Sequence, residues 1–473
     1  MGALRDVELV DGDTDEVAPA AHRRRGWWVL AAAVVVAGLL VGGQVWADAR
    51  HDAHVARFDD VAGVVPPIPA DLTTLWSYAP FGPEMQGATE VGSRLVAGTV
   101  SATTRQYEIR QLDRATGATV WSTQGTVDPS VDLGTESYAV CRALDAGRSS
   151  VVACGLGQLS AGVTDDVSRP GQIVTLDASD GSAVGSVVGR WAQWDAAGGR
   201  LTTAASTATG SRVTWTLRAT DARGHEAWSQ TLPALDLQPE PEADEDGVVA
   251  QSQYFATTLD AEGSRALVAD QGHLFVVDDG ELTISRDIEA GVWPDFERGA
   301  VVVRPAQEGA TITIVTDDDR AVPISGSTVY LPVDDGTAPG IVLVQEPDRV
   351  SARESASGKV LWSTQASWSS ALVLGGRVYL GTDAVVEALD LRTGDVAWQA
   401  PYSLPAALVT DGRGVWIGTE TSLDGFALDD GSSLPSRDAT ELVPHLGDGG
   451  YSPIDARLGM LYVSGDATAQ VVG

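Results

Sequence analysis

Two cysteines, six histidines and a large excess of carboxylates are the groups in this 473-residue chain whose types and spacing could do chemistry. Cys141 and Cys154 fall in one expected hairpin whose turn centres on Gly147-Arg148. Stepping outward from Ala146 and Ser149 makes the two cysteines a non-hydrogen-bonded pair, the register in which side chains approach most closely, so a disulfide is expected. Closing so short a loop stabilises by about 3 kcal/mol at most. The spacing is far from C-x-x-C, which argues against a redox-active pair. His51 and His54 stand three apart and could share a metal on a helix face, but they bring only two ligands. His225, His273 and His445 are scattered and read as structural or surface residues.

The acidic runs are no better as metal sites. Asp6, Glu8, Asp11, Asp13, Asp15 and Glu16 have the alternation of a calcium loop, yet no glycine follows at the required turn. Glu242 to Gly247 opens like such a loop, but Gln253 stands where a bidentate glutamate is needed, so the region around Glu240, Asp244, Glu245 and Asp246 reads as an acidic surface loop. No G-x-S-x-G, H-E-x-x-H, phosphate-loop or paired-cysteine zinc pattern appears. Neither a catalytic set nor a metal set is assigned, and no cofactor is expected.

The elements that must position these groups follow a repeat. Ala388 to Trp398 reads ALDLRTGDVAW, Leu112 to Trp121 reads LDRATGATVW, Arg353 to Trp362 reads RESASGKVLW, and Leu217 to Trp228 reads LRATDARGHEAW with one residue fewer between Asp221 and Gly224. Leu176-Asp177 with Gly181 has Gly185 in place of the tryptophan, and Leu428-Asp429 with Gly431 has lost it too. The residue types divide the physical work of a hairpin. Leu389 points into a sheet, Asp390 accepts amide hydrogen bonds from the turn it opens, Gly394 supplies left-handed backbone, and Trp398 is an apolar wedge on the next strand. Asp113, Gly117, Trp121, Gly358, Trp362 and Trp228 take the same parts. Copies at intervals near forty residues indicate a propeller or solenoid.

This pattern resembles the A-x-D-x-x-T-G-x-x-x-W repeat of the PQQ-type (quinoprotein alcohol dehydrogenase-like) β-propellers, from about Asp71 to the C-terminus. The resemblance implies an all-β ring of four-stranded blades. Turns at Gly117, Gly181, Gly224, Gly280, Asp319, Gly358, Gly394 and Gly431 lead to an expectation of eight blades, with seven as the alternative. The strands around Leu461 to Val463 and Gln470 to Val472 lack a last partner, which Leu75-Trp76-Ser77 would supply, closing the ring by non-local pairing. Trp191, Trp194 and Trp215 are expected in one blade, as core. In the catalytic members an asparagine helps hold calcium and the cofactor, and a vicinal cysteine pair flanks the quinone; this chain has no asparagine and no adjacent cysteines.

The N-terminal 70 residues are different in kind. Residues 1–25 form a polar tail ending in Arg23-Arg24-Arg25, expected to be cytoplasmic and disordered. Gly26 to Trp46 carries no charge over 21 residues, enough for one transmembrane helix, with Trp27, Trp28 and Trp46 at its ends and the arginines keeping the N-terminus inside. Ala47-Asp48-Ala49 also resembles a processing site, so a cleaved signal peptide is the alternative. No cysteine lies near this run, which excludes a lipid anchor. Residues 47–70, with Val64-Val65-Pro66-Pro67-Ile68-Pro69, read as a stiff tether, and 71–473 as the propeller.

Removing the tail's 4 basic and 6 acidic residues leaves 27 against 59, a charge of −32, which repels phosphate backbones and anionic lipid and excludes nucleic acid as a partner. A single lysine, Lys359, against 30 arginines is the composition of a GC-rich genome such as an actinobacterium's. The expectation is a single-pass plasma-membrane protein presenting a non-catalytic extracytoplasmic propeller that binds another envelope protein or a small ligand. The alternative is a quinoprotein-like enzyme or cofactor binder with a non-standard funnel site, which converging carboxylates with an arginine on several blades would favour.

Overall fold

Short β-branched and leucine-rich runs bounded by glycine and aspartate fold as hairpins, because the runs bury on both faces while the punctuating residues take the positive φ that two-residue turns require. The computed structural model describes residues 56–473 apart from 79–84, 86, 134–137, 146–149, 158–167, 239–256, 290–291, 306–310, 366–369, 383, 403–406, 420, 441, 443–453 and 465–468. The expected tail, the apolar run 26–46, His51, His54, the turn at Gly147-Arg148, the acidic loop from Glu242 and His445 lie outside the described residues. Among the described residues no helix is long and apolar enough to cross a membrane.

The strands form antiparallel four-stranded runs, each a meander in sequence order. We call them modules 1 (89–126), 2 (138–191), 3 (193–231, with an extra strand Leu235–Asp236), 4 (258–287), 5 (292–325), 6 (327–365), 7 (371–401), 8 (408–438) and 9 (454–472). Module 9 has only three strands of its own. Its fourth is Thr74–Tyr78, which pairs with Ala469–Val472 through Trp76↔Val471 and Tyr78↔Ala469, so the start of the propeller closes onto its end. Modules 1 and 2 share hydrogen bonds at Gly98↔Ala139 and Thr99↔Tyr138. The first strand of module 1, Thr89–Val91, is too short to cover the second, Arg94–Val100, and the first strand of module 2 pairs with the uncovered end. Hydrogen-bonded sheets therefore number eight among the described residues, one of them double.

The repeat residues join neighbouring modules. Trp121, Trp228, Trp362 and Trp398 sit at one register position, opposite Gln111, Ala219, Ala352 and Ala388, each just before a bulge. Each indole lies under the turn glycine of the following module. Gly117 stands over Trp76, Gly181 over Trp121, Gly280 over Trp228, Gly394 over Trp362 and Gly431 over Trp398. A Cβ on Gly394, where φ is +75°, would fall 2.5 Å from Trp362 Cγ, so both the backbone conformation and the close approach demand glycine there. The indole Nε1 of Trp76, Trp121, Trp362 and Trp398 donates to the carbonyl three residues before that glycine, on Arg114, Ala178, Leu391 and Leu428, at 2.9–3.0 Å. Asp390 Oδ1 accepts the amides of Arg392 and Thr393, Asp113 Oδ1 those of Ala115 and Thr116, and Asp177 Oδ1 that of Ser179. These bonds, the Thr393 amide foremost, hold the Asp390 carboxyl below its usual range.

Where the repeat is eroded the contact changes. Gly185 replaces the tryptophan in module 2, the neighbouring backbone closes in, and Thr175 Oγ1 donates to Ala222 O at 2.5 Å while Val187 packs against Gly224. Val322 takes the indole's place under Gly358.

Two expectations need correction. Trp191 ends the last strand of module 2, Trp194 lies in the first of module 3 and Trp215 in its third, so the three do not share a module. Trp191 and Trp215 are buried in two separate apolar clusters, because the chain turns at Ala192 to begin a new module between them. Nor are residues 57–70 a free spacer: the compact unit begins at Arg57, and Phe58, Val64, Val65 and Ile68 are buried on modules 6 to 9. Their apolar side chains gain more by covering the ring than extended polyproline backbone gains by solvation.

Candidate functional site

The first strands of successive modules lie against one another, from Thr89–Val91 to Tyr138–Ala143, then Gln193–Ala197, Thr258–Glu262 and Val292–Glu297. They are the inner strands, where groups from several modules can converge. In modules 1, 3, 4, 5, 7, 8 and 9 the first strand closes on the second through a short turn, and the residue paired seven positions ahead marks one equivalent inner site: Thr89↔Val96, Asp195↔Thr202, Asp260↔Leu267, Asp295↔Val302, Leu372↔Tyr379, Val409↔Trp416 and Asp455↔Tyr462. Modules 3, 4, 5 and 9 thus carry aspartate where modules 7 and 8 carry leucine and valine.

Modules 3 to 5 build a continuous polar seam. Asp195 Oδ2 accepts the Ala261 amide of the next module at 3.0 Å, Asp260 Oδ2 the Phe296 amide at 2.6 Å, and Glu262 Oε1 the Gly299 amide at 3.1 Å. Arg142 of module 2 approaches Asp195 at 3.7 Å. Arg304 of module 5 pairs with both Asp295 and Glu297 and donates to Thr328 Oγ1 of module 6 at 2.8 Å. Burial pushes Asp195 up to about 6 and Glu297 up to about 7, and it raises Asp260, Glu262 and Asp295 as well. For Asp195 the neighbouring Asp260 charge adds to that rise, while the Ala196 and Ala261 amides and Arg142 oppose it. The seam's carboxyls therefore keep their protons to higher pH than free carboxylates do, and Arg142 and Arg304 offset part of the charge that remains. Among the described residues no group of three or more His, Cys, Asp or Glu is disposed to hold a metal ion.

The sequence-predicted residues lie elsewhere. Cys141 and Cys154 form a disulfide with Cα atoms 4.0 Å apart, fully buried between the first two strands of module 2. The Cys141 amide donates to Gly87 O at 2.7 Å and so points away from Cys154, as a non-hydrogen-bonded pair requires. His225 bonds Asp221 Oδ2 at 3.0 Å in an exposed turn, and His273 bonds Asp287 and Ser285 at a strand end. The elbow residues Asp113, Gly117, Trp121, Asp177, Gly181, Gly224, Trp228, Gly358, Trp362, Asp390, Gly394, Trp398 and Trp76 stand at the third and fourth strands, away from the inner positions. The seam itself was missed, although a second repeat signals it: Asp195-Ala196-Ala197-Gly198, Asp260-Ala261-Glu262-Gly263, Asp295-Phe296-Glu297-Arg298-Gly299 and Asp455-Ala456-Arg457-Leu458-Gly459.

Residues 325–442 match a family model described as outer membrane protein assembly factor BamB. No curated protein matches the chain. Similar solved structures include BamB from Moraxella catarrhalis, with 14% identity and a TM-score of 0.33 over 85% of this chain and 99% of that one. Quinohemoprotein alcohol dehydrogenase ADHIIG from Pseudomonas putida HK5 has 12% identity and a TM-score of 0.37 over 90% and 81%. The enzyme of the same name from Comamonas testosteroni has 13% identity and a TM-score of 0.35 over 85% and 76%. The match spans modules 6 to 8, less than half of the chain, and makes that stretch similar to PQQ-type repeats, while the meander of four-stranded modules is consistent with a β-propeller.

Proposed function

We propose that the chain is a non-catalytic interaction scaffold of the cell envelope, held by a single membrane span within residues 26–46, with its propeller outside and another envelope protein as its partner. The observation that carries this reading is the match of modules 6 to 8 to a model named for an assembly factor, on a stretch that also exposes apolar side chains. Val360 and Leu361 of module 6 and Val396 of module 7 lie 42%, 41% and 59% exposed on outermost strands, beside the buried Trp362 and Trp398. An apolar edge on a strand with no further neighbour suits protein contact. The test is capture of envelope proteins by residues 57–473 and by the same fragment with Leu361→Arg and Val396→Arg. A partner retained by the first and lost by the second supports the scaffold, and equal recovery overturns it. Cysteine labelling from outside intact cells at positions after Trp46 tests the orientation. We count the double sheet as two blades, giving nine, one beyond the eight expected, since each half has its own inner strand, elbow and outer strand; an experimental map along the propeller axis decides the number.

The converging carboxylates with Arg304 and Arg142 are the observation that favours the alternative, a ligand or cofactor site in the funnel. The engagement of Asp195, Asp260 and Glu262 by amides of adjoining modules supports a structural seam instead. Titration of the purified fragment with pyrroloquinoline quinone separates the two: stoichiometric binding favours the alternative.

A further inference from the structure

We propose that residues 57–72 are a built-in strap, seated across the inner-turn ends of modules 6, 7, 8, 9 and 1, that lids this arc of the propeller and bares an apolar face when it lifts. The contacts follow in order along the strap. Phe58 approaches the Gly375 turn of module 7, and Gly63 lies against the Pro332 carbonyl and Val333 of module 6. Val64 packs with Val333 and Leu372, and Val65, Ile68 and Leu72 with Val409, Trp416 and Ile454 of modules 8 and 9. At Gly63 the strap also reaches module 1, where its amide donates to Glu90 Oε2 at 3.0 Å. Arg114, only 4% exposed, bridges Glu90 at 3.2 Å and the Val64 carbonyl at 3.3 Å, tying the strap to the module 1 elbow. A stretch this short meets module 1 on one side and modules 6 to 8 on the other only by crossing the space between inner strands.

The strap's composition fits the seat. The Gly63, Val65 and Ile68 amides donate to Glu90, the Thr410 carbonyl and Asp411 Oδ2 at 3.0, 2.9 and 3.2 Å. The intervening Pro66, Pro67 and Pro69 have no N–H to satisfy and face outward, while Val64, Val65 and Ile68 are buried. Gly63 has φ +83°, and a Cβ there would collide with the Pro332 carbonyl oxygen, so this one position accepts glycine alone. Beneath the strap lie Val333, Leu372 and Val409, all at most 2% exposed, an apolar floor that solvent meets once the strap leaves. Thr74–Tyr78 follows directly, so the strap also fixes the entry of the strand that completes module 9.

The test uses the full chain in detergent, whose two described cysteines are paired. Val333→Cys is placed under the strap, and Tyr330→Cys, at a residue 83% exposed, serves as the open reference. With the strap seated, Val333→Cys reacts with maleimide far more slowly than Tyr330→Cys, and adding Gly63→Val raises its rate by about tenfold or more while hydrogen exchange in Val385–Asp390 stays unchanged. Equal rates for the two cysteines, or no acceleration by Gly63→Val, overturn the proposal. Should Val333→Cys fail to fold, hydrogen exchange of the unaltered chain decides: slow exchange at Val65 and Ile68 that Gly63→Val abolishes supports the strap, and fast exchange in the unaltered chain overturns it.

Discussion

The inner positions of modules 3 to 5 and of modules 7 and 8 are the same place in the repeat and are filled in opposite ways. Asp195 and Asp260 bind amides of the neighbouring modules and Asp295 pairs with Arg304 of its own module, whereas Leu372 and Val409 are buried under residues 57–72. One arc is sealed by polar cross-links between inner strands and the other by a covering segment from elsewhere in the chain. Both follow the tendency of an inner strand to pair its polar groups and cover its apolar ones, although among the described residues Thr258 Oγ1 and Asp295 Oδ1 are buried without a hydrogen bond. The difference teaches that the elbow repeat sets the spacing of modules, while the centre is free to vary so long as each module is sealed to its neighbours.

Exchanging the residues breaks the comparison most directly. Leu372→Asp puts a carboxylate into the apolar cluster of Phe58, Val64 and Val333, and it should cost more than about 4 kcal/mol in chemical denaturation or abolish folding. The reverse change, Asp260→Leu, leaves the Phe296 amide without its acceptor and should cost about 1–3 kcal/mol by the same measurement. Arg304→Met leaves Asp295 and Glu297 facing each other without their counter-charge. Because Arg304 is partly exposed, the expected loss is about 1–2 kcal/mol, below that of a fully buried pair, and it should shrink as pH falls toward 5.

The pH dependence sharpens the contrast. A carboxyl whose folded pKa is raised keeps its proton in the fold after the unfolded chain has lost it, so its contribution is present at low pH and fades as pH rises through the folded value. With Asp195 at about 6 and Glu297 at about 7, against 3.8 and 4.5 ordinarily, the melting temperature should fall between pH 4.5 and 7.5. Glu297→Gln should flatten that profile, and a change confined to the strapped arc, such as Val409→Ala, should lower the profile without changing its slope. The smallest effect concerns the elbows. Trp398→Phe removes a buried bond to the Leu428 carbonyl and should cost about 1 kcal/mol more than Trp228→Phe, because the buried Trp228 Nε1 has no partner among the described residues.

Much of the fold was legible because its determinants are local. Aspartate, glycine and tryptophan at fixed offsets specify a turn whose geometry needs only the residues within it, so the elbows at Gly117, Gly358 and Gly394 could be placed from the chain alone. The Cys141–Cys154 register followed from strand alternation in the same way, and the closing strand at Trp76 from a missing partner. The blade count was harder, since Gly185 and Val322 stand where tryptophan signals a module and a short first strand merges two others. The carboxylate seam had a local signature, but Asp195 and Asp260 acquire raised pKa values only once burial and the neighbouring module surround them.

By itself the amino-acid order determined that this chain is a ring of β-modules, which residues turn it, and which cysteines meet, because turn chemistry and side-chain alternation act over a few residues. Tertiary structure alone decided that each indole serves the following module rather than its own, that the inner aspartates join modules, and that a proline-containing stretch lies down as a strap. Those outcomes depend on groups tens to hundreds of residues apart, and burial, which sets their energies, exists only after the modules have come together.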